Sequence, residues 1–337
     1  MNTIIPHSHP DIEERFLMPE GWRWHIFKNP QGRLLRFGTV APKDSVPDAV
    51  VIGLQGLGEF TEKYFEVART LLDHNLSFWM LDWQGQGKSH RHLKNTQKRH
   101  SSSFDEDITD LHYFLMEYVK HSAVHPDVGR IPLVMLAHSM GGNIGLRYLK
   151  DHPDMFSCAA FTAPMIGIRA FQHLPNRITL PLLASLNEVM NQGYVEFGGK
   201  EWNPQMRMHK RNDIHTSDPI RKEVHNAWCL HDPALQVGNI TYGWLYQAQR
   251  SCAKLQKSTF LNDIKTPFLL ALAGQEKLVD NPVARKLVSN LPCARLLELP
   301  EAKHEILMER DPVRNAFFQA FFEFLQKNNI KEKLKPF

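Results

Sequence analysis

The stretch that decides the fold is Met135–Gly142, with the sequence MLAHSMGG. It ends an apolar run, Ile131–Leu136, and leads into a segment with helical spacing, Gly142–Lys150. A strand, a sharp turn and a helix around a small-x-Ser-x-Gly pattern form the turn that presents a nucleophilic serine. Ala137 takes the place of the first glycine. A serine that only caps the helix is the alternative, but the strand and helix on either side favour Ser139 as a nucleophile.

Outward from this turn, the first half of the chain alternates between strand and helix patterns. Continuous apolar runs separated by amphipathic segments are typical of a parallel sheet that is covered on both faces. The predicted strands are Ala49–Leu54, Ser77–Leu81, Ile131–Leu136 and Cys158–Thr162, and the predicted helices are Lys63–Asp73, Phe104–Lys120 and Gly142–Lys150. The pattern therefore predicts an α/β fold with a doubly wound, mostly parallel sheet.

The alternation stops at Pro164 and resumes at Pro267. Two further strands, Pro267–Ala273 and Arg295–Leu299, and two helices, Pro282–Asn290 and Val313–Gln326, follow. A long insertion between two regular halves is typical of a functional cap or lid. We therefore predict a core formed by residues 1–163 and 261–337 and a helical cap formed by residues 164–260.

Composition limits the class of protein. The 337 residues are 42% hydrophobic and 23% charged, and the net charge of +4 is too small and diffuse to indicate nucleic-acid binding. The four cysteines form no CxxC pair, which indicates reduced thiols and a cytoplasmic protein. The first residues lack the pattern of a signal peptide, and no stretch is apolar enough to span a bilayer.

The eighteen histidines do not indicate a metal site, because no HExxH motif or tight cluster accompanies them. A basic loop, Lys88–His100, contains His90, His92 and His100, and we expect these three to be solvated. The same loop is also suited to peripheral contact with phospholipid head groups at the inner face of the membrane. Both interpretations of the loop stay open at this point.

A serine nucleophile requires a base and an orienting acid, which follow it in the order acid, histidine in this architecture. His304 follows the predicted strand Arg295–Leu299 and is the candidate base. Two carboxylates follow the preceding strand. Glu276 lies three residues past its end, and Asp280 is the alternative if the loop folds back.

The developing oxyanion needs hydrogen-bond donors. The N–H of Met140, directly after the nucleophile, is one candidate. Leu57, in the glycine-containing loop after Ala49–Leu54, supplies the other.

At this point the chain resembles the serine α/β-hydrolases of the monoglyceride lipase and bacterial lysophospholipase type, over about residues 36–324. The segments that carry the resemblance are QGLGEFTEKYFEVARTL (55–71), LDWQGQGKS (81–89), LAHSMGGNIGLRYL (136–149), TAPMIGI (162–168), LALAGQEKLVDN (270–281) and AKHEIL (302–307). The resemblance implies an α/β-hydrolase fold with Ser139 as nucleophile, His304 as base, and Leu57 and Met140 as oxyanion hole. The family's acid, commonly Asp, falls on Glu276, which keeps Asp280 as an alternative.

Two further positions depart from the family pattern. Gln55 replaces a histidine and Gln84 replaces an arginine, and both are expected to be structural hydrogen-bonding positions. The resemblance also implies that the cap forms an acyl-binding tunnel. Its candidate lining residues, which could equally form the cap's own core, are Met165, Ile166, Trp228, Trp244 and Leu245.

The expected function is therefore hydrolysis of a single-chain acyl lipid through an acyl-enzyme, with a lysophospholipid as the expected substrate. The alternatives are a monoacylglycerol lipase, a lipid acyltransferase, a peptidase, and a non-catalytic binding protein with the same fold. No metal or organic cofactor and no nucleic-acid partner is expected. The sequence does not indicate an oligomeric state.

Overall fold

An eight-stranded sheet runs through the centre of the protein, in a computed structural model that describes residues 9–195, 200–206, 213–257, 259–289 and 291–330. Its strands are β1 (Arg23–Lys28), β2 (Leu34–Val40), β3 (Ala49–Leu54), β4 (Leu76–Leu81), β7 (Leu133–His138), β8 (Cys158–Thr162), β9 (Phe268–Ala273) and β10 (Ala294–Leu299), and β5 (Val124–His125) and β6 (Gly129–Arg130) form a separate hairpin. The spatial order is β1-β2-β4-β3-β7-β8-β9-β10. Strand β2 runs antiparallel to both neighbours, and the other pairs in this sheet are parallel.

Helices cover the sheet and also fill the long segment between β8 and β9. They are α1 (Phe65–Asp73), α2 (Phe104–Phe114), α3 (Lys120–Ser122), α4 (Met140–Asp151), α5 (Asn176–Met190), α6 (Arg221–His231), α7 (Tyr242–Leu255), α8 (Asn281–Val288) and α9 (Asp311–Lys327). A π-helical turn, Leu115–Val119, joins α2 to α3. Helices α5 and α7 pack on each other, and α7 also packs on α4.

The central strands are buried along their whole length, as continuous apolar runs require. Every residue of β3, β7, β8 and β9 is buried. Strands β3 and β8 have the predicted bounds. The other four predicted strands, β4, β7, β9 and β10, begin and end within two residues of their predicted bounds. The prediction of an α/β-hydrolase fold with a mostly parallel sheet is confirmed. Residue 290, the predicted end of α8, lies outside the described residues.

Strands β1 and β2 form one edge of the sheet and were not predicted from the sequence. Strand β1 is mostly exposed, so it has no buried apolar face to reveal it. Strand β2 contains Arg36, a buried cation whose guanidinium pairs with Glu62 and Asp82. A charge inside a strand interrupts the apolar pattern, although its partners allow it to be buried.

The basic loop Lys88–His100 is only partly solvated. His90 is exposed as expected, but His92 is half-buried and His100 is buried, with its Nδ1 atom 2.8 Å from Oγ1 of Thr241. The backbone of Arg99 also bonds to that of Thr241 and of Asn239. The expectation of three solvated histidines is therefore wrong for His100, because the end of the loop packs against the segment before α7.

Helices α5, α6 and α7 all lie within the predicted insertion, and the bounds 164 and 260 remain a prediction. Across the described ranges, no helix has the length and apolar character that crossing a bilayer requires.

Candidate active site

Ser139 is the single residue between strand β7 and helix α4. Its backbone has φ 51° and ψ −114°, a region that non-glycine residues rarely adopt. Such a conformation costs on the order of 1–3 kcal/mol and persists where the surrounding structure enforces it. The sharp reversal directs the serine away from the buried strand and towards the end of the sheet where the loops meet.

Glycine is required beside this turn by packing. A Cβ atom on Gly141 would lie 2.2 Å from the carbonyl oxygen of Leu54, so any side chain there would push α4 away from β3. The glycine after the serine in the sequence pattern therefore reflects the close approach of a helix to a neighbouring strand.

Three side chains from different loops form a continuous hydrogen-bonded chain. The Nε2 atom of His304 lies 2.9 Å from Oγ of Ser139, and its Nδ1 atom lies 2.8 Å from Oε2 of Glu276. His304 and Glu276 are each 4% exposed, and Ser139 is 7% exposed. A nucleophile, a base and an orienting acid in this arrangement are suited to acyl transfer.

The loop after β9 fixes the carboxylate of Glu276. Its Oε1 atom accepts hydrogen bonds from the backbone N–H groups of Lys277, Leu278 and Val279, at 2.9, 2.7 and 3.2 Å. Burial alone would raise the pKa of Glu276, but His304 and these N–H groups hold that pKa below its usual range. The side chain therefore stays ionised and correctly oriented beside the imidazole.

Asp280, the alternative acid, has a different place. It caps the N-terminus of α8, where its Oδ1 atom accepts a hydrogen bond from the N–H of Val283 at 3.2 Å. In the described structure it makes no hydrogen bond to His304. Of the two candidate carboxylates, the fold brings Glu276 and not Asp280 to the histidine.

The glycine-containing loop after β3 lies directly against the serine. A Cβ atom on Gly56 would lie 3.2 Å from the Cβ atom of Ser139. Within the described part of the chain, the N–H groups of Leu57 and Met140 donate to no acceptor. Both donors therefore remain available in segments that adjoin Ser139.

A buried charged group, Glu59 with Lys63 and Glu305, supports this loop. Glu59 accepts from the N–H of Gly56 and from the hydroxyl of Tyr64, each at 2.6 Å, and from Lys63, also at 2.6 Å. Lys63 is 1% exposed and also pairs with Glu305 at 2.7 Å. Burial would raise the pKa of Glu59, but Lys63 lowers it to about 2. This group was not predicted from the sequence, although the four-residue spacing of Glu59 and Lys63 is a detectable signal.

The two glutamines that depart from the family pattern have structural roles, as expected. Gln55 donates to the buried carboxylate of Asp82 at 3.0 Å and to the carbonyl of Leu81. Gln84 donates to Asp110 and accepts from Arg33 at 2.8 Å.

A cavity of about 430 Å³ opens onto Ser139 and His304. Met165, Trp244 and Leu245, three of the five predicted lining residues, lie in its wall. Ile166 and Trp228 do not line this cavity, and contact with an acyl chain stays a prediction for all five residues. Ile166 is fully buried away from the cavity, and Trp228 packs edge-on against Phe65 of the core, 5.7 Å between ring centroids. The further wall residues include Arg99, Trp202, Val237, Ile240 and Leu278.

Among the residues that the structure describes, no group of three or more His, Cys, Asp or Glu side chains is arranged to hold a metal ion.

Comparisons with known proteins agree with this architecture. The family model described as "Serine aminopeptidase, S33" matches residues 45–311. Lysophospholipase L2 of Escherichia coli (strain K12) is 29% identical over 291 residues, which is 84% of this chain and 82% of that protein. Monoglyceride lipase of Homo sapiens is 24% identical over 277 residues, which is 81% of this chain and 80% of that protein.

A solved structure shows the same fold. A soluble variant of monoglyceride lipase from Saccharomyces cerevisiae, in complex with a substrate analog, superposes with a TM-score of 0.68 at 18% identity, covering 95% of this chain and 100% of that one. The resemblance to serine α/β-hydrolases of this type is confirmed. The chain belongs to the serine aminopeptidase S33 family of α/β-hydrolases and is a serine hydrolase related to lysophospholipase L2 and the monoglyceride lipases.

Proposed function

We propose that this enzyme is a lysophospholipase, which releases the fatty acid from a single-chain phospholipid. The observation that carries the proposal is the hydrogen-bonded chain from Glu276 through His304 to Ser139, at the mouth of a cavity with apolar walls. The names of the E. coli and Haemophilus influenzae relatives support the choice of head group.

In the first half of the reaction, Oγ of Ser139 attacks the carbonyl carbon of the ester. Nε2 of His304 takes the hydroxyl proton, and the N–H groups of Leu57 and Met140 stabilise the negative charge on the carbonyl oxygen. The bond between the carbonyl carbon and the alcohol oxygen then breaks. His304 gives its proton to that oxygen, and the glycerophospho alcohol leaves.

In the second half, water replaces the leaving alcohol. His304 takes a proton from the water, whose oxygen attacks the acyl carbon of the Ser139 ester. Collapse of this intermediate returns the proton to Oγ of Ser139 and releases the fatty acid. Glu276 stays ionised throughout, holds the Nδ1–H tautomer of His304, and stabilises the imidazolium that forms in each half.

Residues 164–260 act as the cap in this proposal. Met165 at the start of the segment and Trp244 and Leu245 on α7 contribute apolar wall to the cavity. Apolar wall of this kind suits a ligand with one acyl chain. The cap therefore covers the acyl chain while the ester lies beside Ser139.

The test is fatty-acid release from a lysophospholipid and a monoacylglycerol with the same acyl chain, by wild type and by the Ser139→Ala variant. We expect a higher kcat/KM for the lysophospholipid and no release above background in the variant. Full activity in the variant would refute the mechanism. Hydrolysis of a peptide substrate and of neither lipid would refute the assignment to lipids.

Monoacylglycerol hydrolysis is the second candidate function, because several relatives over most of the chain are monoglyceride lipases. The same assay separates the two, since preference for the monoacylglycerol would keep the chemistry and change the head group. A labelled lysolipid acceptor tests acyl transfer. Diacyl product that increases with acceptor concentration would indicate a transferase.

A further inference from the structure

Arg99 is a buried cation in the cavity wall. Its side chain is 1% exposed, and its donors reach neutral acceptors: Nε lies 3.0 Å from Oε1 of Gln86, Nη1 bonds to the carbonyl of His100, and Nη2 lies 3.6 Å from Sδ of Met140. Over the described ranges, no carboxylate lies within ion-pair distance of this guanidinium. Arginine is seldom fully buried without a paired anion.

Other buried cations of the protein are each paired with carboxylates. Arg36 pairs with Glu62 and Asp82, and Lys63 pairs with Glu59 and Glu305. Arg221 of α6 similarly pairs with Glu66, at 2.8 Å. Carboxylates thus neutralise the buried charge at these positions. In the described structure, Arg99 in the cavity wall has no carboxylate at ion-pair distance.

Besides burial, two titratable groups shift the pKa of Arg99: Asp107 raises it and Arg91 lowers it. Burial raises the pKa of Asp107 to about 7, and in the described structure this carboxyl makes no ion pair with Arg99. Burial and the charge of Arg99 lower the pKa of His92 to about 3 and that of His100 to about 4, so both are neutral. Burial also lowers the pKa of Arg99, but only to about 10, so Arg99 keeps its positive charge.

The position of Arg99 connects it to the reaction centre. It contacts Met140, the residue that follows Ser139. It also shares an acceptor with the glycine-containing loop after β3, here called the oxyanion loop, because Oε1 of Gln86 accepts from Nε of Arg99 and from the N–H of Gly58, each at 3.0 Å. An anion that reaches Arg99 therefore lies in the same cavity as Ser139.

We propose that Arg99 binds the phosphodiester group of the lysophospholipid and thereby determines the preference for a charged over a neutral head group. This inference rests on the proposed lysophospholipase function. The planar guanidinium is suited to forked hydrogen bonding with phosphate oxygens, and it binds most strongly where water is excluded. A monoacylglycerol offers no anion and leaves the buried charge uncompensated.

The test compares kcat/KM for a lysophosphatidylcholine and a monoacylglycerol of the same chain length, each below its critical micelle concentration, in three variants. The ratio of kcat/KM for lysophosphatidylcholine to kcat/KM for monoacylglycerol is expected to fall at least about tenfold in Arg99→Gln, since an unpaired buried polar group discriminates strongly between substrates. Arg99→Lys retains the charge and is expected to restore part of the ratio. Lys94→Gln, the same charge change on an exposed residue of the same loop, is expected to keep the wild-type ratio.

Three results would overturn the inference. Equal losses for both substrates in Arg99→Gln would mean that Arg99 only positions Gln86 and the oxyanion loop. An equal fall of the ratio in Lys94→Gln would mean that surface charge sets the preference. An unchanged ratio with weakened inhibition by free fatty acid would mean that Arg99 binds the product carboxylate.

A second measurement separates this inference from the proposed function. Inhibition of p-nitrophenyl butyrate hydrolysis is measured with glycerophosphocholine and, separately, with inorganic phosphate. We expect glycerophosphocholine to inhibit wild type, with an inhibition constant at least about tenfold higher in Arg99→Gln. Such inhibition in an enzyme that does not cleave lysophospholipid would refute the proposed function alone. If the enzyme cleaves lysophospholipid but Arg99→Gln changes neither the kcat/KM ratio nor the inhibition constant, the inference alone is refuted. Inhibition by inorganic phosphate but not by glycerophosphocholine would assign the site to the free ion.

Discussion

The Oε2 atom of Glu276 lies 2.8 Å from Nδ1 of His304, while the other ring nitrogen of that histidine faces Oγ of Ser139. This relationship determines which nitrogen holds the proton in the resting enzyme. With Nδ1–H directed at the carboxylate, Nε2 is left as the acceptor for the serine proton.

The first prediction concerns the choice of acid. Glu276→Gln removes the charge that stabilises the imidazolium, and we expect kcat to fall by about 10²–10⁴. Asp280→Asn is the matched control, because asparagine caps a helix as well as aspartate does. Its kcat is expected to stay within about threefold of wild type. A larger loss in Asp280→Asn than in Glu276→Gln, measured with the same ester, would reverse the assignment.

The second prediction uses the backbone of Ser139. Glycine accepts a positive φ without steric cost, whereas alanine does not. We expect Ser139→Gly to be more stable than Ser139→Ala by about 1 kcal/mol, although neither is active. Denaturant melts of the two proteins measure the difference. Equal or reversed stabilities would show that the turn stores no strain.

The third prediction compares two glycines of helix α4. A methyl group on Gly141 would meet the backbone oxygen of Leu54 at 2.2 Å, whereas one on Gly145 would meet the flexible Sδ of Met135 at 2.6 Å. Overpacking of a side chain typically lowers the free energy of unfolding by about 1–3 kcal/mol, and the backbone atom at Gly141 cannot move aside. At Gly145, a shift of the methionine and the better helix propensity of alanine offset the contact. We therefore expect a lower melting temperature for Gly141→Ala than for Gly145→Ala, and the reverse order would contradict the packing described here.

The fourth prediction concerns acid stability. The pKa of Glu59 is lowered from 4.5 to about 2 in the folded protein, so the native state binds fewer protons there than the unfolded chain does. Its stabilisation is therefore present at neutral pH and is lost as the pH falls from about 4.5 towards about 2. Glu59→Gln is expected to have a lower melting temperature than wild type at pH 7, and the gap between the two melting temperatures is expected to be smaller at pH 3. A gap that is constant with pH would exclude this linkage.

Much of the fold could be predicted because parallel strands are buried on both faces. Strands such as β3 and β9 are continuous apolar runs, and the residues that follow them lie at one edge of the sheet. Ser139, Glu276 and His304 were therefore predictable as residues after strands. The choice between Glu276 and Asp280 was not, since it depends on how the loop between them folds.

Other features depend on contacts that the local sequence does not reveal. Arg99 stands in a run of basic residues, and nothing in that run indicates that this side chain turns inward while Lys94 stays exposed. Likewise, Trp228 and Trp244 have similar surroundings in the sequence. Only the tertiary packing shows that one contacts Phe65 of the core and the other lines the cavity.

The most direct test of the account is an active-site titration with a fluorophosphonate, followed by mass spectrometry and a lysophospholipase assay of the same samples. We predict one label per chain, on Ser139, with fatty-acid release falling linearly to zero at one equivalent. A label on another residue, or release that survives full labelling of Ser139, would contradict it.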